Sequence, residues 1–434
     1  MRSGLPIAIA GALMLAGCAY PYPPPALAPV TAPAPALAAT PVVATQIAPV
    51  TILVSIDGFR PDYLDRGVTP NLNALKTAGV SAAMRPSFPS VTFPNHWTLV
   101  TGLRPDRTGL VGNRMEDVRR PGETFTMQTD DPFWWGDAEP IWVTAEKAGI
   151  RTATMFWPGA NVAIGGTMAT TGHHAVTGGV RPSDWQQYNE AVTGEQRVAA
   201  VIDWLRRPAT TRPQLITLYF DIVDTAGHAN GPDGAGTTAA VAAVDAQIGG
   251  LVAGLAAIDQ PANLVIVADH GMAATSSSRT VPLADLADPA DLRTIDTGPV
   301  ASIVALPGRD DAVARRLQRP HDHVDCWRKA AIPARLHFGR NPRVAPFVCL
   351  AESGWLIVKT PPSEPFTGGA HGYDPADPAM RALFIASGPA FVAGRTLATF
   401  DNVAIAPLLR ALVGLPAGRD LDGDDAPFRG VFRR

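Results

Sequence analysis

"TILVSID", Thr51–Asp57, is an unbroken run of apolar and β-branched residues that ends on an aspartate. Such a run, without polar alternation, suits a strand buried on both faces of a parallel sheet. Comparable runs follow at "LITLYF" (Leu215–Phe220), "NLVIVAD" (Asn263–Asp269) and "RALFIAS" (Arg381–Ser387). Helical patterns lie between them, the longest being the Ala-rich "AGTTAAVAAVDAQIGGLVAGLAAI" from Ala235. Strand and helix alternation predicts an α/β fold with a central, mostly parallel sheet covered on both faces. Ligands then gather beyond the carboxyl ends of the strands. Two stretches, about 113–213 and 271–361, interrupt the alternation and read as insertions that shape a substrate pocket.

The chain has 434 residues, 46% hydrophobic and 17% charged, with a formal charge of −3. No long basic run appears, which argues against binding a nucleic-acid polymer through its phosphates. The N-terminus, "MRSGLPIAIAGALMLAGC", carries Arg2, an apolar segment from Leu5 to Leu15 too short to span a membrane, and then small residues. Leu15-Ala16-Gly17-Cys18 resembles the lipobox of bacterial lipoproteins, which implies a signal peptide over 1–18 and lipidation of Cys18. An ordinary cleaved signal peptide is the alternative. Ala19 is not the aspartate that marks inner-membrane retention, so the expectation is a periplasmic protein anchored to the outer membrane. Residues 19–50 hold no charge and are rich in Pro and Ala, as in an extended tether, leaving 51–434 as the catalytic domain. In an oxidising compartment, Cys326 and Cys349 are expected as a disulfide pair, with two buried thiols as the alternative.

Chemistry-bearing residues collect at the strand ends. Asp57 closes the first run, Asp224 and His228 follow "LYF" in "DIVDTAGH", Asp269 and His270 close "NLVIVADH", and His371 stands in "GGAHGYDP". In Asp224-x-x-x-His228 the interval of four puts both side chains on one face of a helix, with Gly227 letting the backbone approach a metal. Thr92, in "SFPSVTFPNHWTLVTG" (Ser87–Gly102), precedes a helical stretch and reads as its N-cap. The helix start would also stabilise an alkoxide there. Three carboxylates, three imidazoles and a hydroxyl form the donor set of two zinc-like ions.

Together "VSIDGFRPDYL", "TPNLNALKTAGV", "PSFPSVTFPNHWTLVTGLRPDRTGLVGN", "FWPG", "YFDIVDTAGHANGP", "VIVADHGM" and "GAHGYDP" closely resemble the nucleotide pyrophosphatase/phosphodiesterase family of the alkaline phosphatase superfamily. The resemblance implies an alkaline phosphatase-like three-layer αβα fold and two Zn²⁺ ions. One zinc falls to Asp224, His228 and His371, the other to Asp57, Thr92, Asp269 and His270. Thr92 becomes the nucleophile, forming a covalent phosphothreonine. Asn113 donates to a non-bridging phosphate oxygen, and Phe93 and Tyr188 sandwich a nucleobase. His96 is expected to hydrogen-bond behind the ligands.

Two zinc ions against three aspartates and an alkoxide leave the site near neutral, and of the cations within the metal motifs, Arg60 and Arg85, neither has a clear aim at phosphate. A monoester dianion would want such a cation; a diester monoanion needs it less. The favoured substrates are therefore nucleotide phosphodiesters and pyrophosphates, releasing nucleoside 5′-monophosphates. The alternatives are a phosphomonoesterase or a lipid or choline phosphodiesterase of the same superfamily, and an inactive surface-tethered binding protein. "HDHVDC" (His321–Cys326) reads as a solvated loop rather than a third metal site, the acidic "DLDGDD" lacks the glutamate of a calcium loop, and His173 and His174 are assigned to a pocket wall or a loop surface.

Overall fold

The computed structural model describes residues 47–169 and 176–433. Cys18, the leader and most of the tether lie outside the described residues, as do His173 and His174. The central sheet is built from β1 (Val50–Ile56), β2 (Val80–Arg85), β3 (Thr152–Met155), β4 (Asp184–Gln186), β5 (Leu215–Phe220), β6 (Ala262–Val267) and β7 (Ala382–Ser387). Its order is β2-β7-β6-β1-β5-β3-β4, with the short strands Arg395–Thr396 and Phe400–Asp401 both paired to β2. β1 starts at Val50, one residue inside the expected tether, and every residue of it is buried.

β1 runs parallel to both neighbours, with Val54 opposite Ile266 on β6 and Leu218 on β5. β7 is antiparallel to β6 and to β2. Its sequence could not reveal this direction, because a strand buried on both faces has the same apolar signature either way. Residues 113–213, expected as an insertion, supply β3 and β4 to the sheet. These strands are only four and three residues long, too short for a periodic signal.

Helices α1 (Pro70–Ala78), α2 (Thr92–Thr101), α3 (Gly194–Leu205), α4 (Ile222–Asn230), α5 (Ala235–Ala257) and α6 (Ile405–Leu412) accompany the sheet. They form two groups, with α1, α3 and α4 packed against α5, and α2 packed against α6. The sheet lies between them as the middle of three layers. α5 is long and apolar enough to cross a membrane by composition, yet it buries Val241, Val244, Ile248 and Leu251 within the fold. Residues 271–361 form a separate four-stranded antiparallel sheet, ordered Leu292–Asp296, Val300–Ala305, Phe347–Ala351, Val324–Arg328. Cys326 and Cys349 are opposite each other in its last pairing and are joined by a disulfide.

Candidate active site

The carboxyl ends of β1, β5 and β6 open onto one crevice. Asp57 follows β1 directly, and Gly58 at φ +66° turns the chain so sharply that its amide donates to Asp269 Oδ1 at 3.2 Å. Asp224 and His228 share a face of α4, with His228 Nε2 3.4 Å from Asp224 Oδ2. Gly227 is required for packing rather than for metal approach: a Cβ there would lie 2.9 Å from Met272 Cε. Strand Thr367–Ala370 crosses α4 as closely, since a Cβ on Gly369 would sit 2.5 Å from the Gly227 carbonyl oxygen. That crossing delivers His371 to the site.

The side chains gather into two groups, Asp224, His228 and His371, and Asp57, Asp269 and His270, each able to hold a metal ion. The imidazoles are aimed from behind. His228, His270 and His371 donate Nδ1–H to the carbonyls of Gly369 (2.8 Å), Gly271 (2.9 Å) and Ser90 (3.0 Å). All three Nε2 lone pairs then face the cluster. The Nε2 atoms of His228 and His371 lie 3.1 Å apart. Asp57 Oδ1, Asp224 Oδ1 and Asp269 Oδ2 are buried and accept no hydrogen bond.

Burial, and then the carboxylates of Asp269 and Asp224, push the Asp57 carboxyl far above its ordinary range. Burial also raises Asp224. Burial, with His270 and His228 beside it, drives His371 well below an ordinary histidine. Orphaned carboxylate oxygens and imidazole nitrogens brought together in one buried cluster mark a site short of positive charge. Divalent cations fit such a set of imidazoles and carboxylates.

Thr92 is the first residue of α2, not its N-cap. Val91 occupies that position without a side-chain cap, and Thr92 Oγ1 lies 3.2 Å from His270 Nε2. The free Phe93 amide donates instead to Asn113 Oδ1 at 3.0 Å, which leaves the Asn113 NH₂ as that residue's donor. His96 lies behind: its Nδ1–H donates to the Thr92 carbonyl (2.9 Å), and its Nε2 accepts from Ser55 at 2.8 Å.

A cavity of about 460 Å³ opens over the cluster, lined among others by Thr92, Phe93, Asn113, Tyr188, His228 and His371. Phe93 is braced edge-on by Phe125 and at a tilt by Trp135. Tyr188 sits in the loop after β4, not on a helix, and faces the cavity wall beside Phe156 and Tyr219. Sequence reasoning missed Tyr219, whose hydroxyl donates to Asp57 Oδ2 at 2.7 Å, and Asp221, which accepts from Tyr188. Their signal was position at the end of "LYFD", where side chains at a strand's carboxyl end meet the crevice.

The remaining charged motifs are spent elsewhere. Arg60 pairs with Asp62, and Arg85 with Asp401. His323 pairs with Glu352 and His321 contacts the Arg316 carbonyl, so "HDHVDC" contributes to neither metal group. In "DLDGDD", Asp420 and Asp422 pair with Arg107.

The family model for type I phosphodiesterase / nucleotide pyrophosphatase matches residues 51–374. An uncharacterized pyrophosphatase/phosphodiesterase of Schizosaccharomyces pombe is 37% identical over 84% of this chain and 77% of its own length. The Xenopus laevis bis(5′-adenosyl)-triphosphatase is 35% identical over 85% and 78%. Ectonucleotide pyrophosphatase/phosphodiesterase family member 3 of Bos taurus is 35% identical over 83% of this chain, which spans only 41% of that longer protein. Among solved structures, an inactive murine ectonucleotide pyrophosphatase/phosphodiesterase 5 in complex with AMP superposes with a TM-score of 0.81 at 33% identity, over 89% of this chain and all of that one. By sequence and by fold, therefore, this chain belongs to the type I phosphodiesterase/nucleotide pyrophosphatase family of enzymes.

Proposed function

We propose that the protein hydrolyses nucleotide phosphodiester and pyrophosphate bonds with two zinc ions and a covalent phosphothreonine, releasing nucleoside 5′-monophosphates. The observation that carries this reading is the gathering of three orphaned carboxylate oxygens and three imidazole Nε2 atoms, one of them 3.2 Å from the Thr92 hydroxyl, at the floor of an aromatic-walled cavity. Asp224, His228 and His371 would hold one ion; Asp57, Asp269, His270 and Thr92 the other. When bound, the ions would supply Lewis acidity, lowering the pKa of the hydroxyl and of water and offsetting the charge on phosphorus.

The chain's own groups do the rest. Thr92 Oγ1 bonds to phosphorus as the bond from phosphorus to the leaving oxygen breaks, and that oxygen departs with the electron pair and takes up a proton. A water oxygen then attacks phosphorus, the bond to Oγ1 breaks, and the Thr92 hydroxyl regains a proton. Two in-line displacements retain configuration. The α2 N-terminus places positive partial charge at the attacking oxygen, and the Asn113 NH₂ donates to a non-bridging oxygen. Phe93 and Tyr188 present aromatic faces to a base, consistent with the AMP held by the murine relative. The leader and Cys18 support export to the periplasm and a lipid anchor in the outer membrane.

Turnover of bis-p-nitrophenyl phosphate against p-nitrophenyl phosphate, before and after Thr92→Ala, tests the reading. The diester should be strongly preferred and the variant inactive, with two zinc ions per chain in the purified protein. Dominant monoester cleavage, preference for a choline diester over a nucleotide, or full activity in the alanine variant would overturn it.

A further inference from the structure

Arg197 is a buried charge on the apolar face of α3, aligned with Val201 one turn on. Its side chain is 4% exposed, an environment that costs free energy unless every donor is used. Nε donates to the Val192 carbonyl at 3.1 Å, and Nη1 to the Tyr219 carbonyl at 3.0 Å and to Asp221 Oδ1 at 2.7 Å. The guanidinium also lies 4.9 Å from the Phe156 ring and 5.8 Å from the Tyr188 ring. The second Asp221 oxygen accepts from the Tyr188 hydroxyl at 3.0 Å. One side chain thus ties together the start of α3, the end of β5 and, through Asp221, an aromatic wall of the cavity.

Tyr188 needs such a tie. It follows the edge strand β4, and although its ring meets Phe156 and Tyr219 edge-on, the side chain is nearly half exposed, so the sheet ladder does not set its rotamer and packing encloses it only in part. A ring ordered before the ligand arrives spares the ligand that ordering cost.

We infer that Arg197 and Asp221 are positioning residues for nucleotide specificity: they hold the Tyr188 ring in place for a nucleobase and leave phosphoryl transfer itself untouched. This rests on the nucleotide reading above. Lysine cannot replace Arg197, because an ammonium lacks the planar fork that serves two carbonyls and a carboxylate together.

The test compares the p-nitrophenyl ester of AMP with bis-p-nitrophenyl phosphate, which has no base, on the zinc-loaded protein. Arg197→Lys and Asp221→Asn should raise KM for the nucleotide ester about tenfold, the scale of one charge-assisted hydrogen bond. In Arg197→Lys, kcat/KM for the bis-ester should stay within about twofold, a change too small to reflect a lost interaction. Tyr188→Phe, which keeps the ring and removes the hydroxyl, should reproduce the nucleotide KM shift, and it keeps the inference testable if Arg197→Lys fails to fold. Parallel loss on both substrates would mean a merely structural role and overturn the inference. So would an unchanged nucleotide KM in Asp221→Asn and Tyr188→Phe. A wild-type protein whose KM for the AMP ester is no lower than for the bis-ester overturns the nucleotide reading itself, before any variant is compared.

Discussion

Replacing Arg343 with methionine probes how the antiparallel insertion supports the cavity. Both Arg343 and Asp117 side chains are fully buried. Arg343 Nε donates to Asp117 Oδ2 at 2.7 Å, Nη1 to the carbonyls of Gly109 (3.0 Å) and Trp134 (2.8 Å), and Nη2 to that of Phe133 (3.1 Å). Methionine fills a similar apolar length, so the loss is mostly polar. Each buried carbonyl left without its donor costs about 1–3 kcal/mol, and breaking a buried ion pair costs about 3–5 kcal/mol. Asp117 keeps Arg119, whose Nε and Nη2 donate at 3.0 and 2.6 Å and whose amide donates at 2.8 Å. With the pair at its lower end, about 3 kcal/mol, and the three stranded carbonyls at about 1 kcal/mol each, the expected loss is about 6 kcal/mol. Urea unfolding of the zinc-loaded protein, followed by tryptophan fluorescence, measures it, and a cycle with Asp117→Asn should show coupling of about 1–2 kcal/mol. Asp117 lies four residues beyond Asn113, and Trp135, beside the anchored carbonyls, packs 5.9 Å from Phe93. KM for a nucleotide ester should rise with the destabilisation. A loss below about 1 kcal/mol, within the range of an exposed pair, would refute the reasoning.

Three further outcomes follow from the same geometry. Chelation should abolish diester turnover and lower the melting temperature, with zinc but not magnesium restoring both; at free zinc 1,000 times Kd the stabilisation lost is about 4 kcal/mol. Cys326 and Cys349 close a loop with a sequence separation of 23, so the paired serine substitutions should cost about 3 kcal/mol by the chain-entropy relation, read by urea unfolding. Hydrogen bonds from Arg119, against the effect of burial, and from Arg343 hold the Asp117 carboxyl below its ordinary range. Its contribution is thus present above the unfolded pKa of about 4 and lost as pH falls below it. Asp117→Asn should flatten that part of the acid-stability profile, measured by melting temperature against pH.

Local chain chemistry was enough to reveal the buried strands β1, β5 and β6 and the acidic and imidazole residues at their ends, because an apolar run closing on a carboxylate has few other uses. The spacing of Asp224 and His228 likewise specified a shared helix face. Other features are properties of contacts between distant segments. Antiparallel β7 looks like its parallel neighbours, since burial on both faces erases the directional signal. β3 and β4 are too short to show a period. Thr92 reads as an N-cap until the fold brings Asn113 to the Phe93 amide and sets His270, 178 residues away, beside the hydroxyl. Which imidazole nitrogen faces the cluster depends on carbonyls that packing supplies, from Ser90, Gly271 and Gly369. Residue type and local spacing carry ligand identity, whereas aim, tautomer and the Arg197–Asp221–Tyr188 tie require hydrogen-bond partners that only tertiary packing brings within 3 Å or so.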